Sequence, residues 1–446
     1  MSFPRYPKYK DSGVAWLGEV PEHWEVKPIK AVATCNDEVL EESTFSDYEI
    51  EYIEISGVDM GRGICSTEII PFGNAPSRAR RRVADGDILV STVRTYLRAI
   101  APIIKPPGNL IASTGFAVIR PRYVVPHFLG YIFQAEFLVA EVIARSVGVS
   151  YPAINASDLM RLYVPLPLKV EQQAITAFLD RETEKIDALI AEQKRLVALL
   201  AEKRQAVISH AVTKGLNPDV PMKHSGIEWL GEVPEHWKVI PVAYGYNVQL
   251  GKMLDSTKII GKHLRPYLRV FDVQWGVINT DDLPQMDFDE YARSKFQLEI
   301  GDLLVNEGGS YPGRSAIWSG EIDECYYQKA LHRMRPHCSD EHTSKFMYYV
   351  MYWAANQGVF IAGGNETTIE HLPAEKLRKY RFAFPPIEEQ LEIVSFLDTE
   401  TAKFDTLTLE ANRAIELLQE RRSALISAAV TGKIDVRGIP GKSEAA

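Results

Sequence analysis

Residues Glu171 to Thr213 read EQQAITAFLDRETEKIDALIAEQKRLVALLAEKRQAVISHAVT, 43 residues without a proline or a glycine. The apolar residues recur at alternating steps of about 3.5 residues, which is typical of a coiled-coil seam rather than of the wider stripe of a globular helix. A helix of this length would be roughly 65 Å long. The spacing predicts a seam formed by Leu179, Ile186, Leu189, Leu196, Leu200 and Val207.

The same helical stretch returns 218 residues later, where Phe178-Leu179-Asp180 recurs as Phe396-Leu397-Asp398. The chain therefore contains two long helices of matching pattern. The predicted seam of the second helix consists of Leu397, Phe404, Leu407, Ala414, Leu418 and Leu425.

Each predicted seam is interrupted by two charged residues, Glu182 and Lys203 in the first helix and Glu400 and Arg421 in the second. Charged residues at a helix interface are costly unless they are paired. Parallel packing in register would place like charges opposite each other. Antiparallel packing brings Glu182 toward Arg421 and Lys203 toward Glu400, so the sequence predicts antiparallel helices.

A second repeat opens the chain. Residues 12–24 read SGVAWLGEVPEHW and residues 225–237 read SGIEWLGEVPEHW, so eleven of thirteen positions are identical. Glycine and proline predict turns in this segment. We expect its tryptophans to pack on a core, and we expect His23 and His236 to be structural.

Composition and charge set limits on the class of protein. The 446 residues are 46% hydrophobic and 24% charged, as in a globular protein of two or three domains. The sequence has no apolar run of about 18 residues, and we expect neither a membrane span nor a signal peptide. Four well-separated cysteines without a CxxC pair indicate reduced cytoplasmic thiols, with no metal site.

The net charge of −9 conceals a basic block. Residues 61–130 hold ten Lys and Arg against three Asp and Glu, whereas residues 1–60 hold thirteen acids against five bases. Affinity for DNA follows local rather than total charge. The block is therefore a candidate phosphate-binding face, with an ordinary solvated surface as the alternative.

The strand-rich parts of the two halves carry equivalent turns followed by unlike loops. Gly86-Asp87 and Gly301-Asp302 each precede a predicted buried strand. The loops that follow are rich in Arg, Ser, Thr, Tyr and Gly, which are suited to contacts with bases and phosphates. With the basic block, they supply the predicted DNA-binding residues, which are Arg80, Arg81, Arg94, Thr95, Tyr96, Arg98, Ser310, Tyr311 and Arg314.

Signatures of catalysis are missing from the sequence. We find no phosphate-binding Walker loop, no dinucleotide fingerprint, no HExxH motif and no amino-methyltransferase motif. The ten histidines show no metal-ligand spacing. The sequence therefore predicts a chain without catalytic residues of its own.

Taken together, the repeated motifs resemble those of the specificity subunits of type I restriction-modification enzymes. The resemblance covers essentially the whole chain and rests on the two openings and on "GDILVSTVRTYLRA" with "STGFAVIRP". It also rests on "GDLLVNEGG" with "QKALHRMRP", and on "EQQAITAFLDRETEKID" with "EEQLEIVSFLDTETAKFD". One departure is the loop Gly363–Thr368, which differs from Val147–Pro152 and leaves the contacts of the second loop open.

The resemblance implies an α+β fold with two duplicated α/β target-recognition domains, separated by two long antiparallel coiled-coil helices with pseudo-twofold symmetry. The corresponding expected segments are recognition domains at 1–168 and 216–386, spacer helices at 169–215 and 387–434, and a flexible tail at 435–446.

The resemblance also implies partners. Each recognition domain would read one half of a bipartite site in double-stranded DNA. Two methyltransferase subunits would dock on the chain, and ATP-dependent restriction subunits would join them. S-adenosylmethionine, ATP and Mg²⁺ would be bound by these partners alone, so no cofactor is expected on this chain.

Two alternatives stand beside this interpretation. One is a stand-alone DNA nuclease or methyltransferase with a diverged active site, against which the missing motifs count. The other is a coiled-coil adaptor that never touches DNA, which the basic block and the two unlike loops disfavour.

Overall fold

The computed structural model describes residues 3–255, 259–309, 312–360 and 371–438. The chain divides into two compact units. The first unit comprises residues up to 194 together with those from 412 onward, and the second unit comprises residues 195–411. Both boundaries fall inside the long helices, so each unit contains half of each helix.

The two long helices run over Lys169–Lys214 and Ile387–Val430. No proline or glycine interrupts either stretch, and each helix is followed by a glycine with positive φ, Gly215 at 76° and Gly432 at 74°. This left-handed conformation is the usual way for a helix to end, since glycine has no Cβ to clash there.

The helices pack antiparallel, as predicted, but through different residues. Arg422 Nε donates to Asp187 Oδ1 at 2.9 Å in the first unit. Arg204 forms an ion pair with Asp405 in the second unit. Adding the repeat offset of 218 to Asp187 and Arg204 gives Asp405 and Arg422, so one interaction occurs twice.

The predicted charged pairs are wrong. Glu182 pairs with its helix neighbours Arg181 and Lys185, and Glu400 pairs with Lys403. Lys203 and Arg421 are exposed, although the Lys203 Nζ lies 6.0 Å from the Phe404 ring.

The buried row of each helix also differs from the predicted seam. Six of the twelve predicted residues are buried, namely Leu179, Ile186, Leu200, Leu397, Phe404 and Leu425, but Leu189, Leu196 and Leu407 are 41–46% exposed. The next residues, Thr183 and Thr401, are buried in place of Glu182 and Glu400. Each threonine hydroxyl donates to the carbonyl four residues earlier at 2.7 Å, which removes the cost of burying it.

The first unit contains two four-stranded sheets. The strand order of the first sheet is Ile100–Pro102, Ile88–Ser91, Phe116–Pro121 and Ala33–Cys35, all antiparallel. The order of the second is Glu68–Pro71, Glu49–Ile53, Leu110–Ser113 and Ala79–Arg82, with a parallel central pair. Two-stranded ladders join Tyr9–Asp11 to Glu19–Pro21, Glu25–Pro28 to Tyr163–Leu166, and Val58–Asp59 to Gly63–Ile64. Its helices are Pro126–Gln134, Glu136–Ala144 and Ala156–Leu159.

The second unit repeats the first sheet in the same order, with strands Ser315–Ile317, Leu303–Asn306, Leu331–Pro336 and Tyr246–Leu250. Its other sheet has three strands, Gln285–Asp287, Leu264–Leu268 and Tyr326–Tyr327. Two-stranded ladders join Met222–His224 to Glu232–Pro234, Lys238–Pro241 to Arg381–Phe384, and Val273–Gln274 to Val277–Ile278. Its helices are Val242–Gly245, Glu290–Phe296, Ser344–Asn356 and Ala374–Lys379.

The repeated openings dock on the first turns of the long helices. Trp24 is fully buried, and its Nε1–H donates to Glu171 at 3.2 Å. Trp237 is also fully buried and donates to Glu389 at 3.1 Å. His23 and His236 contact the same two carboxylates. The structural role predicted for these tryptophans and histidines is confirmed.

The repeated Gly-Asp turns are held by arginines from a neighbouring strand. Both guanidinium groups bind bidentately, Arg120 to Asp87 and Arg335 to Asp302. Hydrogen bonds to these nearly fully buried carboxylates raise the pKa of each arginine. The ion pairs fix the start of the strand that leads into each loop.

The beginning of the predicted flexible tail is packed. Val436 is 4% exposed in the core of the first unit, and the Asp435 N–H donates to the Pro4 carbonyl at 2.8 Å. Residues 435–438 are therefore ordered by contacts with the N-terminal segment. Residues 439–446 lie outside the described part of the chain.

Candidate nucleic-acid interface

In the first unit, the strand Ile88–Ser91 leads into the loop predicted to contact DNA. Thr95–Leu97 forms one 3-10 turn, and the residues on either side, Arg94 and Arg98, have positive φ values of 51° and 53°. Positive φ is uncommon for residues other than glycine. The loop is therefore a constrained turn rather than a flexible connection.

A second loop braces the first. The Arg94 N–H donates to the Pro152 carbonyl at 2.8 Å, and the Ile154 N–H donates to the Thr92 carbonyl at 2.9 Å. Val93 also pairs with Ala153. We call the combined segments 92–98 and 147–153 the loop pair.

The surface of the loop pair presents one arginine and several large side chains. Arg94 is exposed, and its guanidinium lies 4.7 Å from the centre of the Tyr151 ring. Tyr96, Val149 and Tyr151 are 51%, 102% and 62% exposed. A cation and aromatic rings on one surface are suited to nucleic acid.

Two of the predicted contact residues serve the loop itself. Thr95 is only 4% exposed, and its hydroxyl bonds to Ser146 at 2.7 Å, which leaves its side chain little surface for the predicted DNA contact. Arg98 binds Glu136 bidentately, with both distances 2.7 Å. Both terminal nitrogens of the Arg98 guanidinium are therefore already bound to a carboxylate.

The basic block is also partly neutralised. Ion pairs tie Arg62 to Asp59, Arg78 to Glu54, Arg98 to Glu136, Arg120 to Asp87 and Glu38, and Arg122 to Asp37. Half of the ten bases thus have an acidic partner within the described residues, mostly from outside the block. The local charge available to a polyanion is smaller than the sequence count indicates.

Arg80 and Arg81 lie on the strand Ala79–Arg82, away from the loop pair in sequence. The Arg80 guanidinium stacks 4.8 Å from the centre of the Phe72 ring. Arg81 is half-buried, and its Nε has no hydrogen-bond partner among the described residues. Both remain candidate contacts without carboxylate partners in the described structure.

In the second unit, the equivalent loop joins Leu303–Asn306 to Ser315–Ile317. Arg314 is half-buried, and its Nη1 donates to Gln274 Oε1 at 2.5 Å. The Glu307 carbonyl accepts from the Leu372 N–H at 2.6 Å. Ser310, Tyr311 and the loop Gly363–Thr368 lie outside the described residues.

A buried histidine lies beside this second loop. The His332 ring is fully buried, and Nε2 is 2.7 Å from the Leu372 carbonyl. Burial lowers the pKa of His332 to about 4, so the ring is neutral at pH 7. Its role is to brace the loop through a hydrogen bond rather than to contribute charge.

Residues that were not predicted from the sequence complete both loops. Glu136 and Tyr151 lie about 40–60 residues after the arginines they contact, and Gln274 lies 40 residues before Arg314. The unlike loop Val147–Pro152 was the only sequence signal that pointed toward Tyr151.

Among the described residues, no three His, Cys, Asp or Glu side chains come together as metal ligands. No single described helix is long and apolar enough to cross a membrane. The helices Pro126–Gln134 and Glu136–Ala144 meet that criterion only as a pair bent by 61°, and most of their apolar residues lie in the core of the first unit.

Comparisons with known proteins agree on one family. The family described as "Type I restriction modification DNA specificity domain" matches residues 21–197 and 277–417. The StySPI specificity subunit of Salmonella potsdam is 20% identical over 96% of this chain and 94% of its own length. The putative MjaX specificity subunit of Methanocaldococcus jannaschii is 22% identical over 94% and 96%.

Solved structures show the same fold. A chain from a study of complex assembly and conformational transition of the type I R-M system has a TM-score of 0.69 and 22% identity, over 93% of this chain and 99% of that one. The HsdS subunit from Thermoanaerobacter tengcongensis has a TM-score of 0.54 and 21% identity, over 93% and 98%. Because the family match covers well over half of the sequence, this chain belongs to the type I restriction-modification DNA specificity subunits.

Proposed function

We propose that this chain recognises a bipartite sequence in double-stranded DNA, with each unit reading one half-site. The observation that carries the proposal is that both units build the same sheet, Gly-Asp turn and Asp–Arg ion pair, and then place unlike side chains in the loop that follows. Two copies of one scaffold with different loops are suited to two different short sequences.

The side chains of the loops are compatible with this role. Arg94 and Tyr96 of the first unit are exposed and can bind base edges or phosphates. The proposed contact of the second unit is Arg314, which is half-buried and donates to Gln274. The proposed contacts also include Arg80 and Arg81, together with Ser310 and Tyr311. The second loop further carries an acidic residue, Glu307, and carboxylates accept from the amino group of cytosine.

We also propose that the chain performs no chemistry itself and positions methyltransferase subunits on DNA. Both long helices carry exposed leucines, and these recur at the repeat offset, Leu189 with Leu407 and Leu199 with Leu417. They are 45–56% exposed, and exposed apolar side chains favour contact with another protein surface. The duplication supports two equivalent methyltransferase sites.

Restriction subunits would join the same complex, and S-adenosylmethionine, ATP and Mg²⁺ would be bound by the partner subunits. A protein that acts on DNA together with such enzymes would work in the cytoplasm, which is compatible with four free cysteines.

Co-expression with the methyltransferase subunit, followed by mapping of methylated bases on a plasmid library, tests the proposal. We expect one bipartite motif. Exchanging residues 92–98 for the loop of another family member should change one half of the motif and leave the other intact. A contiguous motif, or changes in both halves, would contradict the two-reader proposal.

A further inference from the structure

The loops of the two units have equal lengths, which allows a residue-by-residue comparison. In the first unit, the Ser91 N–H donates to the Ala99 carbonyl, and in the second the Asn306 N–H donates to the Arg314 carbonyl. Eight residues separate donor and acceptor in both loops. Arg94 therefore corresponds to Gly309, and Arg98 corresponds to Gly313.

The backbone requires a left-handed conformation at both positions. Gly309 and Gly313 have φ values of 93° and 87°, and Arg94 and Arg98 have values of 51° and 53°. The second unit uses glycine, which adopts positive φ without steric strain. The first unit has arginines at the same places, although arginine is disfavoured there. Each arginine side chain should therefore have a function that offsets this strain.

The function of Arg98 is visible within the unit. Its fork holds both carboxylate oxygens of Glu136, which ties the turn to the helix Glu136–Ala144. This ion pair gives Arg98 a structural role in the turn.

Arg94 has no equivalent partner. Among the described residues, its guanidinium has no carboxylate partner, and its central carbon lies 4.7 Å from the centre of the Tyr151 ring. A guanidinium beside an aromatic ring keeps N–H groups that no carboxylate uses. The exposed Arg94 guanidinium is therefore available to a planar, bidentate acceptor outside the protein.

We propose that Arg94 reads a guanine in the half-site of the first unit, with Tyr151 as a positioning residue that holds the guanidinium beside its ring. The major-groove edge of guanine presents the acceptors O6 and N7 in the spacing that an arginine fork matches. This inference rests on the proposed DNA-reading function and identifies one base within it. A phosphate contact is the alternative outcome, because phosphate oxygens also accept bidentately.

The test uses Arg94→Gly, which gives the loop the residue found at this position in the second unit. The variant should leave the unfolding temperature of the chain unchanged, since glycine suits the backbone. In the assembled methyltransferase, it should reduce discrimination for one G·C pair in the first half-site by about 10- to 100-fold. The second half-site should be unaffected.

Two further variants separate charge from geometry. Arg94→Lys keeps the positive charge but loses the planar fork, so it should lose the same discrimination as Arg94→Gly. Tyr151→Ala should weaken discrimination at the same base pair, and Tyr151→Phe should retain it because the ring remains.

Lys105→Gly is the matched control. Lys105 is also exposed and has a positive φ of 47°, but it lies outside the loop pair. This substitution removes one charge from a left-handed residue and should leave the motif unchanged.

The outcomes distinguish this inference from the proposed function. If exchange of residues 92–98 changes the first half-site but Arg94→Gly and Arg94→Lys leave it unchanged, the assignment of Arg94 is wrong and the proposed function stands. If both variants lower affinity equally for all sequences, Arg94 contacts phosphate and the guanine assignment is wrong. If the wild-type complex yields no bipartite motif, both proposals fail.

Discussion

The duplicated ion pair between the long helices gives the sharpest test of how they pack. We expect Asp187→Arg to destabilise the first unit, because the Arg422 guanidinium would then face a second positive charge. The Arg422 side chain is 16% exposed and that of Asp187 is 44% exposed. Removing one partner of a buried pair costs about 3–5 kcal/mol, whereas exposed pairs contribute about 0.2–1 kcal/mol.

Because the exposure of the Asp187–Arg422 pair lies between these two cases, we expect Asp187→Arg to lower the free energy of unfolding by about 2 kcal/mol. For a unit of this size, that loss lowers the unfolding temperature by about 4–8 °C. Adding Arg422→Asp should restore much of the stability, since the charges are then exchanged rather than removed. Calorimetry of the full chain, with both single variants and the double variant, gives the coupling free energy directly.

Glu182→Lys combined with Arg421→Glu is the matched control, because it exchanges the pair that the heptad pattern predicts. Glu182 forms its ion pairs with Arg181 and Lys185 rather than with Arg421, so the coupling between Glu182 and Arg421 should stay below about 0.3 kcal/mol. The equivalent exchange at Arg204 and Asp405 should show weaker coupling than Asp187 and Arg422, because the Asp405 side chain is 63% exposed. Strong coupling at Glu182 and Arg421, with none at Asp187 and Arg422, would refute the observed register.

Two further predictions concern buried polar groups. Glu171→Ala leaves the Trp24 Nε1–H buried without an acceptor, and we expect urea unfolding to show a loss of about 1–3 kcal/mol. Glu389→Ala should lower the free energy of unfolding by less, since the Glu389 side chain is 24% exposed compared with 5% for Glu171. Equal losses for the two variants would contradict this explanation. The second unit should lose stability as the pH falls from about 6.5 to about 4. In this range His332 is protonated in the unfolded chain but stays neutral in the folded one, because burial lowers its pKa from 6.5 to about 4. His332→Gln should flatten this pH dependence in calorimetry, while replacement of exposed His224 by Gln should leave it unchanged.

The long helices could be predicted because an uninterrupted helical sequence is a local property. Their antiparallel packing was also predicted, but from charged pairs that the structure does not form. The buried row of each helix could be predicted only in part. Each helix carries a row of leucines and a neighbouring polar row, which contains Thr183 and Arg204 in the first helix and Thr401 and Arg422 in the second. Apolarity alone favours the leucines. The threonine hydroxyl is satisfied by its own helix, and Arg204 reaches Asp405 on the other helix. Such compensation depends on the folded geometry rather than on spacing.

The recognition loops posed a different difficulty. The positions of the loops follow from the Gly-Asp turns, but the roles of their arginines depend on residues far away in sequence. Arg98 meets Glu136, and Arg94 meets Tyr151. No pattern within the loop distinguishes the arginine that stabilises the turn from the arginine that has no carboxylate partner among the described residues.

The internal repeat supplies a criterion that separates much of the scaffold from the recognition surface. Polar pairs that recur in both units, such as Asp87 with Arg120 and Trp24 with Glu171, hold the fold and should be the same for any DNA target. Side chains that do not recur, such as Arg94, are free to differ between half-sites. Arg98 shows that a second condition is needed. It does not recur in the second unit, and yet its guanidinium is bound to Glu136 within its own unit. A side chain that recognises a DNA base should therefore differ between the two units and have no carboxylate partner inside its own unit. In the loop of the first unit, Arg94 is the arginine that meets both conditions.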